Sequence, residues 1–315
     1  MVSFIVIGRN EGWRLEKCFK GIYAFVEAEH ISDYEVIYVD SKSSDDSIYL
    51  SKSFNNAKTI LITGECNAAV ARNIGAKEAK GDILFFIDGD MELIPGFWSG
   101  IVKNGVLVYP FISGVEKDVL HDNDWKYVET QVRRKLIEGK DYYEATTGGL
   151  FVIEAELWHN VGGMDNRFKR SQDQDLGFRL SKMGYKLLRK SQIWVNHYTR
   201  YYQVRKDYIT TFKYQAMLTR RHIFNLPAQL FLFGPNYPSW FFAISLLLMA
   251  LTRTLWPGLL YILVLIYRAF RTYKKNKYHF NPLATCCTQI KLDTCFIYFF
   301  FAFWPKSIEV KYELK

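Results

Sequence analysis

Cysteine is scarce in this chain, and its spacing fits no metal site or disulfide framework. Five cysteines occur among 315 residues, at Cys18, Cys66, Cys286, Cys287 and Cys295. An odd number without ligand spacing argues against a disulfide-bonded secreted domain and against a zinc site. A signal-peptide pattern is also missing, because Val2–Ile7 is too short for an apolar core and no basic residue precedes it. We therefore expect a reducing, cytosolic setting.

Acidic residues are nearly absent from the last third of the chain. Residues 200–315 hold 16 Lys/Arg and 4 Asp/Glu, a net charge of +12, whereas residues 1–199 have a net charge of −3. The basic residues alternate with apolar runs, at Trp240–Leu251, Leu255–Tyr267 and Cys295–Trp304. The sequence has no recognition helix, zinc finger or aromatic RNA-binding strand signature. We therefore expect no nucleic acid as a partner, and the composition favours an anionic membrane surface.

A long, uninterrupted apolar run is missing too. A spanning helix needs ~20 residues, and the three runs have 12, 13 and 10. The uncharged stretch Phe231–Leu251 is long enough, but Pro235 and Pro238 interrupt it. Three arrangements stay open: a membrane hairpin with Arg253 near its tip, helices lying in the interface, and a soluble second domain. A basic cluster follows the second run and would face the cytoplasm and anionic headgroups. It consists of Arg268, Arg271, Lys274, Lys275 and Lys277.

The first two hundred residues contain an alternation of strands and helices. Short β-branched or aromatic runs predict strands, at Val2–Ile7, Tyr34–Val39, Thr59–Thr63 and Ile83–Ile87. Between them, apolar residues recur with helical spacing. Such βα units form a mostly parallel sheet flanked by helices. Further along, the sequence predicts a charged helix around Asp124–Ile137.

Two carboxylates follow the strand Ile83–Ile87 directly, in the tripeptide Asp88-Gly89-Asp90. Ligands of parallel α/β sheets bind beyond the carboxyl ends of strands, where Asp40 also ends a predicted strand. Hard oxygen ligands suit Mg²⁺ or Mn²⁺, so the pair predicts a divalent cation with phosphate oxygens. The same tripeptide is also ordinary turn chemistry. By itself it does not separate the two interpretations.

Four motifs, taken in register, resemble the family 2 glycosyltransferases of the GT-A fold. They lie at Val2–Glu11, Val36–Ser47, Ala69–Asp90 and Gly148–Leu176, so the resemblance covers roughly residues 1–200. It implies an α/β fold, a Rossmann-like, mostly parallel sheet flanked by helices, with a C-terminal helical membrane-associated region. We expect a catalytic domain at 1–205, amphipathic connecting helices at 206–236, and a hydrophobic, basic, membrane-associated region at 237–315.

The resemblance also implies roles for single residues. Asp40 and Arg72 would bind the nucleotide, and Asp88 would lie near the ribose and sugar. Asp90 would bind the metal, with His197 as a further ligand, and Asp173 would be the general base. The family has Glu before this base, whereas this chain has Gln172, which puts the tuning of the base in doubt. Two alternatives stay open: Asp175 as the base, and a purely helix-stabilising role for Asp173.

The combined prediction is an inverting glycosyltransferase that depends on Mn²⁺ or Mg²⁺. The expected donor is a nucleotide-diphosphate sugar, a UDP-sugar in preference to a GDP-sugar. The expected acceptor is a hydroxyl of a lipid-linked saccharide or cell-surface glycan at the cytoplasmic face of a membrane, in bacteria the inner membrane. The chain lacks the Gln-x-x-Arg-Trp motif of processive synthases, so we expect transfer of one sugar. Three alternatives remain: a polyprenyl-phosphate sugar synthase, a nucleotidyltransferase, and a non-catalytic membrane-associated binding protein.

Overall fold

The chain folds into two units, each of which is described by itself. The computed structural model describes residues 1–54, 56–132, 139–201, 208–275 and 281–315. One unit comprises Met1–Gln203 together with Lys306–Lys315, and the other comprises Val204–Pro305. The last ten residues therefore lie with the N-terminal unit, whereas the sequence placed all of 237–315 in the membrane-associated region. The reason is a short C-terminal strand, which pairs with the edge of the large sheet.

The N-terminal unit is built on an 11-stranded sheet and a separate two-stranded hairpin. The strands are β1 (Val2–Gly8), β2 (Tyr34–Asp40), β3 (Ala57–Ile62), β4 (Ile83–Asp88), β5 (Met91–Leu93), β6 (Val102–Lys103), β7 (Val106–Leu107), β8 (Phe111–His121), β9 (Tyr127–Val132), β10 (Tyr142–Glu144), β11 (Phe151–Glu154), β12 (Leu187–Arg200) and β13 (Tyr312–Leu314). The helices are α1 (Trp13–Ala28), α2 (Ser47–Ser53), α3 (Ala68–Glu78), α4 (Ala155–Val161) and α5 (Gln172–Lys182).

The sheet brings the carboxyl ends of its central parallel strands to one edge. Its order is β10-β12-β8-β11-β4-β1-β2-β3-β13, with β5 beside β12 and β9 beside β8. Strands β4, β1, β2 and β3 are parallel. In this register Gly8 lies opposite Asp40, and Ile7 lies opposite Asp88. The α/β architecture predicted from the sequence is confirmed.

Both faces of the central strands β1, β2 and β4 are buried, which explains their nearly continuous apolar sequences. Phe4 belongs to one buried cluster, whereas its neighbour Ile5 belongs to the cluster on the other face. Successive strand residues point to opposite faces, so β1 contributes to both. Helix α3 lies close to β1 because residue 75 is glycine, and a Cβ at Gly75 would overlap Ile5. The close packing of α3 positions the residues on its first turns.

The predicted helix around Asp124–Ile137 is wrong. Its first half forms β9 (Tyr127–Val132), which pairs antiparallel with β8. Residues 133–138 lie outside the described part of the chain. The segment Tyr127–Val132 contains Tyr, Val and Thr, which favour strands, and β8 offers it an edge with which to pair. Charge alone therefore misled the sequence-based prediction.

The second unit is helical and contains α6 (Tyr208–Arg221), α7 (Leu226–Thr252), α8 (Gly258–Lys275) and α9 (Pro282–Ala302). The prediction that Pro235 and Pro238 interrupt the apolar stretch is wrong, because both lie inside α7. An internal proline destabilises a helix. Here Pro238 and its neighbours Asn236 and Ser239 are buried, whereas Pro235 is exposed. Among the described helices, α7 alone has the length and composition to cross a membrane, with a mean hydropathy of 1.2.

A buried carboxylate joins three helices of this unit. Asp293 on α9 is 1% exposed and accepts hydrogen bonds from Ser239 on α7 and from Tyr261 and Arg268 on α8, each at 2.7 Å. A buried charge is costly unless it is paired and hydrogen-bonded, and here both conditions are met. Arg268 of the basic cluster therefore has a partner inside the unit.

Candidate active site

Asp88, the last residue of β4, forms an ion pair with Arg72 on α3. The two atoms Arg72 Nη2 and Asp88 Oδ1 are 2.5 Å apart, and Arg72 is 2% exposed. Helix α3 begins after Asn67, whose side chain accepts a hydrogen bond from the Val70 amide. Arg72 lies one turn further on and reaches the strand end. Burial raises the pKa of Asp88, although the Arg72 guanidinium acts in the opposite direction.

Gly149 leaves the space that Asp88 occupies. A Cβ at this position would overlap Asp88 Oδ2, and the Gly149 carbonyl accepts a hydrogen bond from Arg72 at 3.5 Å. The loop between β10 and β11 therefore closes against the ion pair. The sequence analysis gave Gly149 no role in the site. A glycine before a strand is a weak signal, because it also marks ordinary turns.

Asp90 and His197, the two residues that the resemblance assigned to the metal, lie close together. Gly89 and Asp90 form the turn between β4 and β5, so the turn interpretation also holds. The backbone carbonyl of Asp90 accepts a hydrogen bond from the backbone amide of Tyr198 at 2.9 Å. This bond holds the turn after β4 next to β12. Asp90 Oδ2 is 3.4 Å from His197 Nε2. His197 lies inside the long strand β12.

A second carboxylate lies behind the imidazole. Asp118 Oδ1 is 2.7 Å from His197 Nδ1, and both residues are buried. Asp118 lies on β8 and is the register partner of His197 on β12. Glu116, also on β8, offers a further oxygen, so that ligand atoms of Glu116, Asp118 and His197 lie within 4.8 Å of one another. The sequence analysis missed Glu116 and Asp118, because they are remote in sequence and match no short motif.

The residues around Asp90 fit a divalent cation. Asp90 Oδ2 and His197 Nε2 are 3.4 Å apart. This separation allows both atoms to bind one ion that lies ~2.1 Å from each of them. Asp90 Oδ1 is buried and makes no hydrogen bond to any described residue. A carboxylate on the far nitrogen of a histidine is the usual orienting partner of a metal ligand. Burial alone would raise the pKa of Asp90, but His197 and Arg14 lower it.

Negative charge accumulates at this edge. Burial, together with Asp90, raises the pKa of Glu11 to about 7, against the lowering effect of Arg14. Arg14 Nη2 is 2.7 Å from Glu11 Oε2, and Arg14 Nη1 is 3.5 Å from Asp90 Oδ2. A raised carboxyl pKa next to further carboxylates indicates a place where a cation would lower the electrostatic energy. Glu11 and Arg14 belong to the loop and first turn that follow β1.

Asp40 lies at the same edge, and its side chain is hydrogen-bonded within its own strand and the loop that follows it. Its side chain is 1% exposed. One oxygen accepts a hydrogen bond from the Tyr38 hydroxyl at 2.9 Å, and the other accepts one from the Ser43 amide at 2.8 Å. These bonds fix the turn after β2. Contact between Asp40 and a nucleotide base stays a prediction.

The two candidate bases differ in their surroundings. Asp175 is 0% exposed, and its carboxylate accepts a hydrogen bond from Arg179 Nε at 2.8 Å. A fully buried carboxylate that is paired with Arg179 is not accessible to an acceptor hydroxyl, whereas Asp173 is partly exposed in the first turn of α5. A Cβ at Gly177 would overlap Ala145. Helix α5 therefore packs on the loop that carries Gly149.

Comparison with known proteins finds similarity to glycosyltransferases. Residues 3–104 match the family model described as glycosyl transferase family 2. Over 93 residues the chain is 34% identical to glycosyltransferase AglE of Haloferax volcanii, covering 28% of this chain and 30% of that protein. Over 157 residues it is 27% identical to an uncharacterized glycosyltransferase of Haemophilus influenzae, covering 47% of this chain and 52% of that protein. The chain thus spans a third to a half of these relatives.

The fold has solved counterparts. The crystal structure of S. aureus TarS 1-349 in complex with UDP-GlcNAc has a TM-score of 0.53 at 14% identity, covering 69% of this chain and 65% of that chain. The complex of the same protein with UDP has a TM-score of 0.52. At this identity the likeness concerns the fold alone.

Proposed function

We propose that this chain, which carries a family 2 glycosyl transferase domain on a GT-A fold, transfers one sugar from a nucleotide-diphosphate sugar to an acceptor hydroxyl, with inversion and with a divalent metal. The observation that carries the proposal is the pairing of Asp90 with His197, backed by Asp118. A strand-end carboxylate and an oriented imidazole at the carboxyl edge of the sheet suit a cation that also takes phosphate oxygens.

The site would handle the leaving group electrostatically. The departing diphosphate carries about two negative charges, and a divalent cation bound there offsets charge that builds on it. Asp90 and His197 would hold the cation, and Asp118 would keep the imidazole in the tautomer that binds it. Asp88, fixed by Arg72 and Gly149, would orient the ribose and sugar. These side chains come from five separate elements, and the sheet positions them before the donor arrives.

Asp173 is the residue that we propose as the general base. The acceptor hydroxyl is a weak nucleophile, and a carboxylate that takes its proton contributes ~10²–10⁴ in rate. With the attacking oxygen and the leaving diphosphate in line on opposite sides of the anomeric carbon, the configuration inverts. The burial of Asp175 supports the choice of Asp173.

The proposed donor is a UDP-sugar, and the proposed acceptor is attached to a lipid. The TarS complexes contain UDP-GlcNAc and UDP, which supports a uridine donor. Helix α7 and the basic residues of α8 support work at the cytoplasmic face of a membrane, where lipid-linked saccharides or cell-surface glycans are extended. The N-terminal unit carries the proposed chemistry, and the helical unit would keep it near the acceptor.

A panel of nucleotide sugars tests the proposal. Purified protein is incubated with UDP- and GDP-sugars, with Mn²⁺ or with a chelator, and the nucleotide product is identified. We expect release of a nucleoside diphosphate that depends on metal and is lost in Asp90→Ala. In a parallel incubation with a nucleoside triphosphate and a sugar 1-phosphate, release of pyrophosphate would instead indicate nucleotidyl transfer. No binding or turnover of any donor, under any metal condition, would leave only the binding-protein alternative.

The acceptor class is tested separately through the base. Transfer to a hydroxyl requires a proton acceptor, whereas transfer to a polyprenyl phosphate does not. We expect Asp173→Asn to lower the rate of sugar transfer at least 100-fold while donor binding is kept. Full activity in Asp173→Asn would favour a polyprenyl-phosphate sugar synthase.

A further inference from the structure

Two arginines reach the acidic edge of the sheet, and they are engaged differently. Arg72 is 2% exposed and lies 2.5 Å from Asp88, so its charge is neutralised by a single carboxylate. Arg14 keeps a side-chain exposure of 14%, and its Nη1 lies 3.5 Å from Asp90 Oδ2. That distance brings the positive charge near Asp90 without a short hydrogen bond. Arg14 also pairs with Glu11 through Nη2, but its Nη1 makes only long contacts, so this nitrogen can still engage an anion beside the proposed metal ligand.

The position of Arg14 is fixed by groups that leave it beside Asp90. Its Nη2 donates to the Asn10 carbonyl at 3.2 Å and pairs with Glu11 at 2.7 Å. Its Nε donates to the Glu11 carbonyl at 3.3 Å, and Nη1 lies 3.5 Å from the Tyr198 carbonyl. These contacts come from the loop after β1 and from β12, next to His197. A guanidinium held in this way needs little reorganisation when an anion arrives.

Trp125 adds a cation–π contact from the turn between β8 and β9. The Arg14 Cζ atom is 4.5 Å from the centroid of the Trp125 ring, within the range of such contacts. Trp13 meets the same ring edge-on, with centroids 5.6 Å apart. Trp125 has a φ of 60°, a conformation that is unfavourable for a bulky residue and persists only when surrounding contacts enforce it. The turn between β8 and β9 therefore holds the Trp125 ring against the Arg14 guanidinium.

The charge balance of the site calls for a second cation. Asp88, Asp90, Asp118 and Glu116 lie at or near the edge, and a donor brings further negative charge on its diphosphate. A divalent cation and the Arg72 guanidinium leave this balance negative. The phosphate oxygens that would share a cation with Asp90 must lie close to that carboxylate, and therefore within reach of Arg14.

We propose that Arg14 binds the diphosphate of the donor, and that Trp125 is a positioning residue that holds the Arg14 guanidinium beside Asp90. The inference rests on the proposed function, because it assumes a nucleotide-diphosphate ligand. It assigns the diphosphate to Arg14, whereas the resemblance assigned nucleotide binding to Arg72. The planar, bidentate guanidinium suits phosphate oxygens.

The test compares nucleotides that differ only in phosphate number. Binding of UDP, UMP and uridine to the full-length protein is measured by titration calorimetry, in chelator and in Mn²⁺. We expect Arg14→Ala to weaken UDP binding about 10- to 100-fold in both conditions, with uridine binding unchanged. Arg14→Lys, which keeps the charge but not the fork, should lie in between. Thermal unfolding of each variant shows that the protein is still folded.

A second guanidinium on the same ring supplies the matched control. Arg200 Cζ is 4.6 Å from the Trp125 centroid, and Arg200 is exposed. We expect Trp125→Leu to weaken UDP binding about 3- to 10-fold, Trp125→Phe to restore most of it, and Arg200→Ala to bind UDP as the wild type does. A loss in Arg200→Ala equal to that in Arg14→Ala would indicate general surface charge and would contradict the assignment.

The two proposals fail in different ways. If the wild type binds UDP more tightly than uridine and Arg14→Ala keeps the same ratio of the two affinities, the inference about Arg14 is wrong while the proposed function stands. Equal losses for uridine and UDP in Arg14→Ala would mean that Arg14 only supports the fold of the loop, which also overturns the inference. If the wild type neither binds UDP nor turns over any donor, both proposals are wrong.

Discussion

At the scale of single residues, the role of His197 depends on Asp118. The imidazole has Asp90 on one nitrogen at 3.4 Å and Asp118 on the other at 2.7 Å. We predict that Asp118→Ala lowers Mn²⁺ affinity about 10- to 100-fold, the usual effect of removing an orienting partner. Titration calorimetry with Mn²⁺ measures it. Asp124→Asn, an exposed acid in the turn after β8, is the control and should bind as the wild type does. Unchanged affinity in Asp118→Ala would show that Asp118 does not orient the ligand.

The sequence located some of these residues and missed others for a physical reason. Asp88 and Asp90 follow a strand directly, so their place at the carboxyl edge could be predicted from local pattern alone. Asp118 and His197 are 79 residues apart in the sequence. They meet only because β8 and β12 are parallel neighbours in register. No local pattern encodes that contact. The resemblance assigned Arg72 to the nucleotide. The ion pair of Arg72 with Asp88 depends on the packing of α3 against the sheet, which no local pattern encodes.

At the scale of elements, the loop between β10 and β11 connects the site with α5. Gly149 makes room for Asp88, and the same loop contacts α5 at Gly177. We predict that Gly149→Ala displaces the Asp88 carboxylate from Arg72, because its Cβ would overlap Asp88 Oδ2. The free energy of unfolding should fall by about 1–3 kcal/mol, as for overpacking in general, and UDP binding should weaken. Denaturant titration and calorimetry measure the two effects.

A glycine in open space provides the comparison for this variant. A Cβ at Gly100 would meet no atom within 4 Å, so Gly100→Ala should leave both stability and UDP binding close to the wild type. If Gly149→Ala behaves in the same way, the loop has room to spare and does not fix Asp88.

The strands and helices could be predicted where the sequence has a clear apolar pattern. The predictions failed where tertiary contacts determine the secondary structure. The strands β1, β2 and β4 are buried on both faces, so their apolar runs identify them directly. By contrast, β9 has all six residues exposed and is a strand only because β8 pairs with it. Helix α7 contains both Pro235 and Pro238, and the buried stretch around Pro238 contacts a distant partner, since Ser239 donates a hydrogen bond to Asp293. Neither outcome can be obtained from propensity, since both depend on partners distant in sequence.

At the scale of the whole molecule, each unit has its own stabilising network. In the helical unit this is Asp293 with Ser239, Tyr261 and Arg268. We predict that Asp293→Ala lowers the stability of this unit by about 3–5 kcal/mol, because it leaves the Arg268 charge without its buried partner. Thermal unfolding in detergent, followed by intrinsic fluorescence, measures the change. Lys291→Ala, an exposed change on the same helix, should have no effect. Equal unfolding temperatures for the two variants would contradict the prediction.

The helical unit also determines how the protein would meet a bilayer. On α8, Leu259, Leu263 and Ile266 are each about 60% exposed and recur at helical spacing, and the exposed Arg271 and Lys274 follow them. Apolar side chains on one stretch and basic ones on the next suit a helix at an anionic surface, and each basic residue there contributes about 1 kcal/mol. Arg268 contributes less, since Asp293 neutralises it. Arg271 and Lys274, rather than Arg268, are therefore the charges that we expect to contribute to binding at an anionic surface.

We therefore predict that replacing Arg271 and Lys274 together by alanine weakens binding to phosphatidylserine-containing vesicles about 30-fold at low salt, the equivalent of ~2 kcal/mol. Vesicle flotation measures the bound fraction. Binding to purely zwitterionic vesicles should be the same in variant and wild type, because only the charge contribution is removed. Lys103 and Lys126, two exposed lysines of the N-terminal unit, give the matched double-alanine control. If that control loses as much binding, net charge acts without regard to position, and α8 has no special part in attachment. If neither variant changes binding, apolar burial by α7 dominates, and the membrane-hairpin arrangement is favoured over helices that lie in the interface.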